Sequence, residues 1–385
     1  MNNCAAILVG GKGRRLGDLT KKIPKPLIKV NNKEFLKYLL YHVATYNFRK
    51  IYLISKYKSN LFFKIFHKKF YFNSQIICLK ENEAKDTGGA LFELKKKINC
   101  DFFLFNGDSI FSLSTLDINK LKKTNKIVNI ALTKKNNYLS NNKLTSLKIK
   151  NKNICFAKNG QYMNSGVYFF KKKIFNFILK KKISLERDLL PTLINNKKVQ
   201  GIYFKKEFID IGTKVKLKYI QNNISKYLSF KCVFLDRDGV INKDFGYVHS
   251  INKFKILPGV LKAIKYLKTK KYLVIIITNQ SGIGRGYYNV KQLFKLHKFL
   301  NNKLKKKKTI IDDIYYCPHH PNKLCECRKP KTMLIENAIK EWAICKSKSF
   351  MIGDKITDKI CAERSKIKFF FKKKNSLYQQ IRKII

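Results

Sequence analysis

A chain of 385 residues with 83 Lys+Arg against 24 Asp+Glu carries a formal net charge of +59, and its length gives room for two domains of ordinary size, each with its own core. No apolar run approaches the roughly 20 residues that a membrane helix needs; the longest, Leu273–Ile277, is of strand length. So large a charge points first to nucleic acid, but the lysines lie in short scattered runs (Lys95–Lys97, Lys171–Lys173, Lys180–Lys182, Lys305–Lys308, Lys372–Lys374) among abundant Asn, Ile, Phe and Tyr, which reads as a solvated basic surface favouring anionic substrates and argues against a nucleic-acid site.

The start, Met1-Asn-Asn-Cys-Ala-Ala, has no charged n-region, so no signal peptide is expected. With ten cysteines, that predicts a cytoplasmic protein with reduced thiols. Cys4, Cys78, Cys100, Cys155, Cys232, Cys345 and Cys361 stand singly and read as small buried hydrophobes. A predicted strand, Ala5–Val9, runs into Gly10-Gly11-Lys12-Gly13-Arg14-Arg15-Leu16. This loop has no Gly-Lys-Ser/Thr, and Leu16 spoils G-x-G-x-x-G. Its glycines still let backbone N–H groups approach phosphates, and its arginines can stabilise developing negative charge. A plain strand-to-helix turn is the alternative. Pro24-Lys25-Pro26-Leu27 then fixes a lysine on a stiff segment.

Further strands are predicted at Ile51–Ile54, Phe102–Phe105, Gly166–Phe170, Cys232–Leu235, Val274–Ile277 and Phe350–Ile352, with helices at Phe35–Tyr46 and Val260–Lys268. The alternation implies an α/β fold of parallel sheets covered by helices on both faces. The polar segment Gln221–Ser229 marks the expected boundary between a domain of residues 1–225 and one of residues 229–385.

Three polar clusters follow apolar strands of the second half: Asp236-Arg-Asp238-Gly239, Thr278-Asn279-Gln280-Ser281 and Gly353-Asp354-Lys355. In an open α/β sheet the strands' C-terminal edge is where ligands bind, so the clusters should converge. Asp236, Asp238 and Asp354 together would suit Mg²⁺. Each alone is also explained as a helix cap. Cys317-Pro-His319 and Cys325-Glu-Cys327 put three thiols and an imidazole within eleven positions, the density of a closed tetrahedral Zn²⁺ site. Arg328 and Lys329 follow directly, placed for a phosphate.

The ordered set from Phe230 to the C-terminus resembles the haloacid-dehalogenase-type phosphatases. Asp244-Phe-Gly246-Tyr247-Val-His249, Arg285 and the Cys/His knuckle are similar to the heptose-1,7-bisphosphate 7-phosphatases within them. The resemblance implies a capless domain with a zinc loop, in which Asp236 is the nucleophile, Asp238 the general acid and base, and Thr278 and Lys329 hold the phosphoryl oxygens. It implies Mg²⁺ on Asp236, the Asp238 carbonyl and Asp354. Substrate contacts would come from Asp244, Gly246, Tyr247, Asn279, Gln280, Ser281, Arg285, Arg328 and Lys355. Only seven residues separate Cys317 from Cys325, a short loop that is similar to that of the histidinol-phosphate phosphatases and leaves the substrate open.

Residues 4–220 resemble the sugar-1-phosphate nucleotidyltransferases, and among them the heptose 1-phosphate guanylyltransferases. The resemblance is carried by Gly10–Leu16, Pro24–Leu27, Thr87-Gly88-Gly89-Ala90, Asn106-Gly107-Asp108, Asn164-Ser-Gly166, Glu186-Arg-Asp188 and Asp210-Ile-Gly212-Thr213. It implies a Rossmann-like three-layer domain of the GT-A type, as the first half of two such domains. Arg15 would stabilise departing pyrophosphate and Lys25 would position the attacked phosphate. Asp108 and Asp210 would bind Mg²⁺. Gly10, Gly11, Gly13, Thr87 and Gly88 would face the nucleotide, expected to be GTP, and Asn164 and Glu186 the sugar. Arg14 stands where Thr or Ser is usual, and Arg187 where Lys is common. The sugar phosphate and nucleotide are the expected partners, with neither nucleic acid nor membrane. The same two chemistries on another sugar phosphate remain an alternative, as does a basic nucleic-acid-binding protein.

Overall fold

In the computed structural model, residues 4–81, 86–123, 125–134, 146–151, 153–178 and 182–385 are described; the lysine run at 180–182 falls partly outside them. The chain divides into two compact units, Met1–Leu228 and Ser229–Ile385.

The first unit holds β1 (Cys4–Leu8), β2 (Lys29–Val30), β3 (Lys33–Glu34), β4 (Lys50–Ser55), β5 (Phe70–Tyr71), β6 (Ser74–Lys80) and β7 (Phe102–Asn106). These are followed by β8 (Ser109–Phe111), β9 (Val128–Lys134), β10 (Leu147–Lys150), β11 (Asn153–Phe156), β12 (Tyr162–Phe170), β13 (Val199–Tyr203) and β14 (Phe208–Asp210). Among the described residues, ten of them form one sheet in the order β10-β11-β13-β9-β12-β7-β1-β4-β6-β5. The apolar strands β1, β4, β6 and β7 run parallel. Ala5, Ala6, Ile7, Leu53 and Leu104 are fully buried, which is how a strand covered on both faces reads.

The expectation of an all-parallel sheet fails here at β12, which is antiparallel to β7 and β9. It fails also at β5 and β6, which are antiparallel because only residues 72–73 join them. A parallel return needs a crossover of a dozen or more residues. Residues 221–227, read as linker, instead complete the helix Lys214–Tyr227. Ile220, Ile224 and Tyr227 give it a buried stripe, and helical spacing outweighs the polar composition around them.

The second unit is built on β15 (Lys231–Leu235), β16 (Tyr272–Asn279), β17 (Asp313–Cys317), β18 (Phe350–Gly353) and β19 (Lys368–Phe371). They form a wholly parallel sheet in the order β17-β16-β15-β18-β19. Helix Val260–Thr269 packs Ala263, Ile264 and Leu267 into the core beside Val233, Leu235, Val274 and Ile276, together with Leu296, Leu300 and Leu304 of helix Val290–Lys306. No described helix is long and apolar enough to cross a membrane.

The order of β15, β16 and β18 decides the chemistry. β15 lies between the other two, so Asp236, Thr278 and Asp354, far apart in sequence, emerge side by side at one edge.

Candidate active sites and metal centres

In the second unit a cleft of about 780 Å³ opens at that edge, lined among others by Asp236, Asp238, Thr278, Asn279, Gln280, Ser281, Arg328, Lys329 and Lys355, with Asp244, Gly246 and Tyr247 at its side. Lys329 is its electrostatic centre. Its ammonium lies 2.6 Å from Asp236 Oδ1 and 2.6 Å from Asp358 Oδ1, and donates to the Ile277 carbonyl at 2.9 Å. Its backbone is clipped to the Asn279 side chain by bonds of 3.0 and 3.1 Å. Burial lowers the lysine's affinity for a proton, but the two carboxylates reverse that and hold it charged. Burial also pushes the Asp236 carboxyl up, to about 7, against the pull of Lys329. An ion bound here would favour the charged carboxylate.

Asp238 is held differently. Arg237, itself fully buried, grips the carboxylate with Nε and Nη2 at 2.8–3.2 Å. Asn242 Nδ2 and Gln280 Nε2 each donate to it at 2.9 Å. Gln280 also donates to Thr278 Oγ1 at 2.8 Å and accepts from Tyr288 OH at 2.6 Å. The group that would move protons is thus tied to the hydroxyl that would meet phosphate.

Asp244 pairs with Lys355 at 3.0 Å, while Arg285 lies over the Tyr247 ring at 5.7 Å and is not among the residues lining the cleft.

Asp236, Asp354 and Asp358 bring carboxylate oxygens within 4.8 Å of one another. Asp354 Oδ1 is buried without a hydrogen-bond partner, a fit for a hard cation. Gly239 has φ +85°, and a Cβ there would come 2.1 Å from Asp354 Oδ2. That close approach is what glycine permits.

The knuckle closes as its spacing predicts. Cys317 Sγ lies 3.7 Å from Cys325 Sγ and 3.6 Å from His319 Nδ1; Cys327 Sγ lies 3.8 Å from Cys325 Sγ and 3.2 Å from His319 Nδ1. Tetrahedral zinc with Zn–S of about 2.3 Å requires thiolates about 3.8 Å apart. The four residues therefore fit that ion.

In the first unit a cleft of about 350 Å³ is lined by Gly10, Gly11, Lys25, Lys56, Glu81, Asp86, Thr87, Asn106, Asp108 and Glu186 among others. β7 delivers Asp108 through Gly107, whose amide donates to Leu8 O at 2.9 Å; a Cβ there would lie 2.4 Å from that oxygen, so only glycine lets the turn pass so close. Pairing of β8 with β14 sets Ser109 opposite Asp210, and Ile211 N donates to Asp108 O at 2.9 Å. The two aspartates are thereby neighbours. Lys25 pairs with Asp108 at 2.5 Å.

Arg15 is exposed, and its guanidinium lies 3.4 Å from where a Cβ on Gly212 would stand, beside Asp210. Thr87 Oγ1 donates to Glu186 Oε2 at 2.7 Å, and Gly88 N to Ile183 O at 2.9 Å. Arg15, Gly13, Gly88, Asn164 and Asp210 are not among the lining residues. Asn164 instead donates to Tyr168 OH at 2.5 Å and accepts from Gly166 N at 2.9 Å.

Residues 206–372 match the family model for haloacid dehalogenase-like hydrolases, and residues 4–140 that for nucleotidyl transferases. The second unit is also 44% identical over 145 residues to D-glycero-beta-D-manno-heptose-1,7-bisphosphate 7-phosphatase of Haemophilus ducreyi, covering 36% of this chain and 80% of that one.

The chain belongs to the haloacid dehalogenase-like hydrolases. It is equally similar, 43% over 144 residues with 36% and 79% covered, to the alpha-anomer phosphatase of Photorhabdus laumondii. HddC of Yersinia pseudotuberculosis is similar to the first unit at 27% identity and TM-score 0.50, covering 58% of this chain and all of that one. The hydrolase is thus joined to a nucleotidyl transferase domain, and both are enzymes. Mg²⁺ is the ion such hydrolases use.

Several groups escaped the sequence reading. Asp358, in Gly353-Asp354-x-x-x-Asp358, caps its helix by accepting from the Asp354 and Lys355 amides at 3.2 and 3.1 Å. In sequence it looks like a cap. Arg237 sits inside the Asp236–Gly239 cluster with no role assigned to it, and Asn242, Tyr288, Glu81 and Lys216 carry no motif. Replacing Asp358 with Asn leaves Lys329 one anion short and lets it settle on Asp236. Phosphate release from a monoester by the full chain should then fall by about 100-fold, the usual effect of a misplaced group, with the fold intact by circular dichroism.

Proposed function

We propose that this chain is a two-site enzyme of nucleotide-activated heptose synthesis. Residues 229–385 remove the 7-phosphate of D-glycero-D-manno-heptose 1,7-bisphosphate, and residues 1–225 transfer a nucleotidyl group to the resulting heptose 1-phosphate. One observation carries the reading: a hydrolase similar to heptose-bisphosphate phosphatases shares a chain with a transferase similar to HddC, and the product of the first reaction is the acceptor of the second. Sequence identity does not choose between the anomers. The resemblance of the transferase to enzymes of the α-phosphate favours that one. Nucleoside triphosphate supply favours a cytoplasmic setting.

In the phosphatase, Asp236 attacks the 7-phosphorus and Asp238 protonates the departing alkoxide, giving an aspartyl-phosphate. Asp238 then takes a proton from the water that cleaves it. Thr278 and Lys329 hold the phosphoryl oxygens. Bound by Asp236, the Asp238 carbonyl and Asp354, Mg²⁺ would screen the nucleophile from the phosphate it approaches. Arg328, Lys355, Asp244, Gly246, Tyr247, Asn279 and Ser281 face the sugar phosphate in this reading, Gln280 positions Asp238, and Arg285 supports Tyr247.

In the transferase, a phosphate oxygen of heptose 1-phosphate attacks the α-phosphorus in line and pyrophosphate leaves. Lys25 positions the attacked phosphate and Arg15 meets the charge on the leaving group. Asp108 and Asp210 would hold Mg²⁺, which supplies charge neutralisation there. The loop glycines and Thr87 face the nucleotide, and Glu186 and Asn164 the sugar side.

GTP is the proposed donor because Glu81 lines the cleft. Its two oxygens can accept from the adjacent N1–H and N2–H of guanine, a pair no other common base presents. Burial raises its carboxyl to about 7, against the pull of Lys56, and donors from a bound base would favour its charged form.

Given the 1,7-bisphosphate, Mg²⁺ and each of four triphosphates, the full chain should release phosphate first and then form GDP-heptose and pyrophosphate. Asp236→Asn should stop the first step and leave transfer to supplied heptose 1-phosphate within about twofold, as expected for uncoupled sites. Loss of both steps from a folded variant would sink the division of labour. Glu81→Gln presents one acceptor in place of two, so GTP preference over ATP should drop by about 10-fold or more, read as the kcat/KM ratio. About one Zn²⁺ per chain is expected by metal analysis. Cys325→Ser should slow phosphate release by loosening the loop that carries Arg328 and Lys329, while transfer continues.

A further inference from the structure

Two aromatic residues among those described adopt a left-handed backbone, Phe72 and Tyr247, each at φ +48°. A bulky side chain rarely takes that conformation unless its surroundings impose it. For Phe72 the cause is plain: it lies in the turn between β5 and β6, and it is 1% exposed. Tyr247 has neither reason. It lies between β15 and the helix Val260–Thr269, joins no pair of strands, and is 44% exposed at the side of the hydrolase cleft. Core packing does not ask for this conformation, so the bonds around Tyr247 hold it there.

Those bonds run to Asp238. Asp244 Oδ1 accepts from Gly246 N at 3.0 Å, which shapes the turn into Tyr247. The next two carbonyls are each taken by a side chain. His249 Nδ1 lies 2.8 Å from Tyr247 O, and since a carbonyl only accepts, Nδ1 carries the hydrogen. Arg237 Nη2 donates to Val248 O at 2.9 Å, while the same guanidinium grips Asp238. The His249 ring also stacks on Tyr288, with centroids 5.2 Å apart and planes at 12°. The Tyr288 hydroxyl in turn donates to Gln280, which donates to Asp238. The Tyr247 ring meets Tyr287 edge-on at 4.9 Å. Tyr247 and Asp238 are thus set in one frame by two routes, and His249 is the group that holds the carbonyl of Tyr247 itself.

Resting on the phosphatase reading, we propose that His249 is a positioning residue that sets Tyr247 against the sugar leaving group, in register with Asp238. Asp238 can protonate the departing alkoxide only when that oxygen is held within hydrogen-bond reach. A sugar presents an apolar C–H face and hydroxyls, and a tyrosine offers a ring for the one and a polar tip for the other. If the backbone at Tyr247 relaxed, the ring would leave that place. Tyr247 therefore selects leaving groups large enough to reach it, and His249 sets how sharply. His249 is not among the residues lining the cleft, so it acts through Tyr247.

The test uses the full chain with Mg²⁺ and two substrates, the 1,7-bisphosphate and acetyl phosphate. Acetate is too short to reach Tyr247 and departs as a stable anion without a proton. His249→Phe keeps a ring to stack on Tyr288 and removes the donor. Its kcat/KM for the bisphosphate should fall by about 10-fold or more, the effect of a reacting group misplaced by part of an ångström. Hydrolysis of acetyl phosphate should stay within about twofold, which also shows that the unit is folded. His249→Asn returns a side-chain N–H close to the place of Nδ1 and should recover most of the loss. A merely structural role would lower both substrates together. If His249→Phe lowers both alike or neither, or if His249→Asn recovers nothing, the positioning proposal is overturned and the phosphatase reading stands. If the unaltered chain cleaves acetyl phosphate but not the bisphosphate, both fall.

Discussion

One buried ammonium organises the hydrolase unit. Lys329 draws together Asp236 from the end of β15, the Ile277 carbonyl from β16 and Asp358 from the helix after β18. Two strands and the helix after a third are thereby fixed to a single charge that is almost wholly buried. Such an arrangement tolerates little change, because stripping a buried ion of one partner typically costs about 3–5 kcal/mol. It also explains the position of the knuckle. Cys325 and Cys327 end two residues short of Lys329, so a closed metal cluster would anchor the loop that brings the lysine to its place.

The transferase unit uses related pairings under different electrostatics. Lys25 with Asp108 and Lys216 with Asp210 are again lysine–carboxylate pairs, but Asp108 is 37% exposed, against 7% for Asp236. Coulomb interaction scales inversely with effective dielectric. The hydrolase lysine therefore sits in the drier surroundings, and the Lys25–Asp108 pair is screened more by solvent.

Most of the α/β alternation was legible because buried parallel strands are unbroken apolar runs, as in Val274–Ile277. The reading went wrong where length of connection, not composition, decided the outcome. β5 and β6 are antiparallel because only residues 72–73 join them. The polar stretch at 221–227 is helical because three apolar residues at helical spacing outweigh its polar ones. At the hydrolase edge the motif residues came together as their strand-end positions suggested, while Asp358 hid in the guise of a helix cap. Glu81 and Lys216 offered no motif at all. Their positions matter through what folding brings beside them.

By itself the sequence determined which groups are available: carboxylates after apolar strands, glycines before cations, and four soft ligands at metal spacing. Each depends on residue type and short-range spacing, which the chain carries explicitly. Only the tertiary structure decided which charges are paired. Strand order sets β15 between β16 and β18, and the register of β8 on β14 places Asp210 beside Asp108. Pairing between distant charges is a property of the sheet's order and of burial. Neither can be read from spacing along the chain.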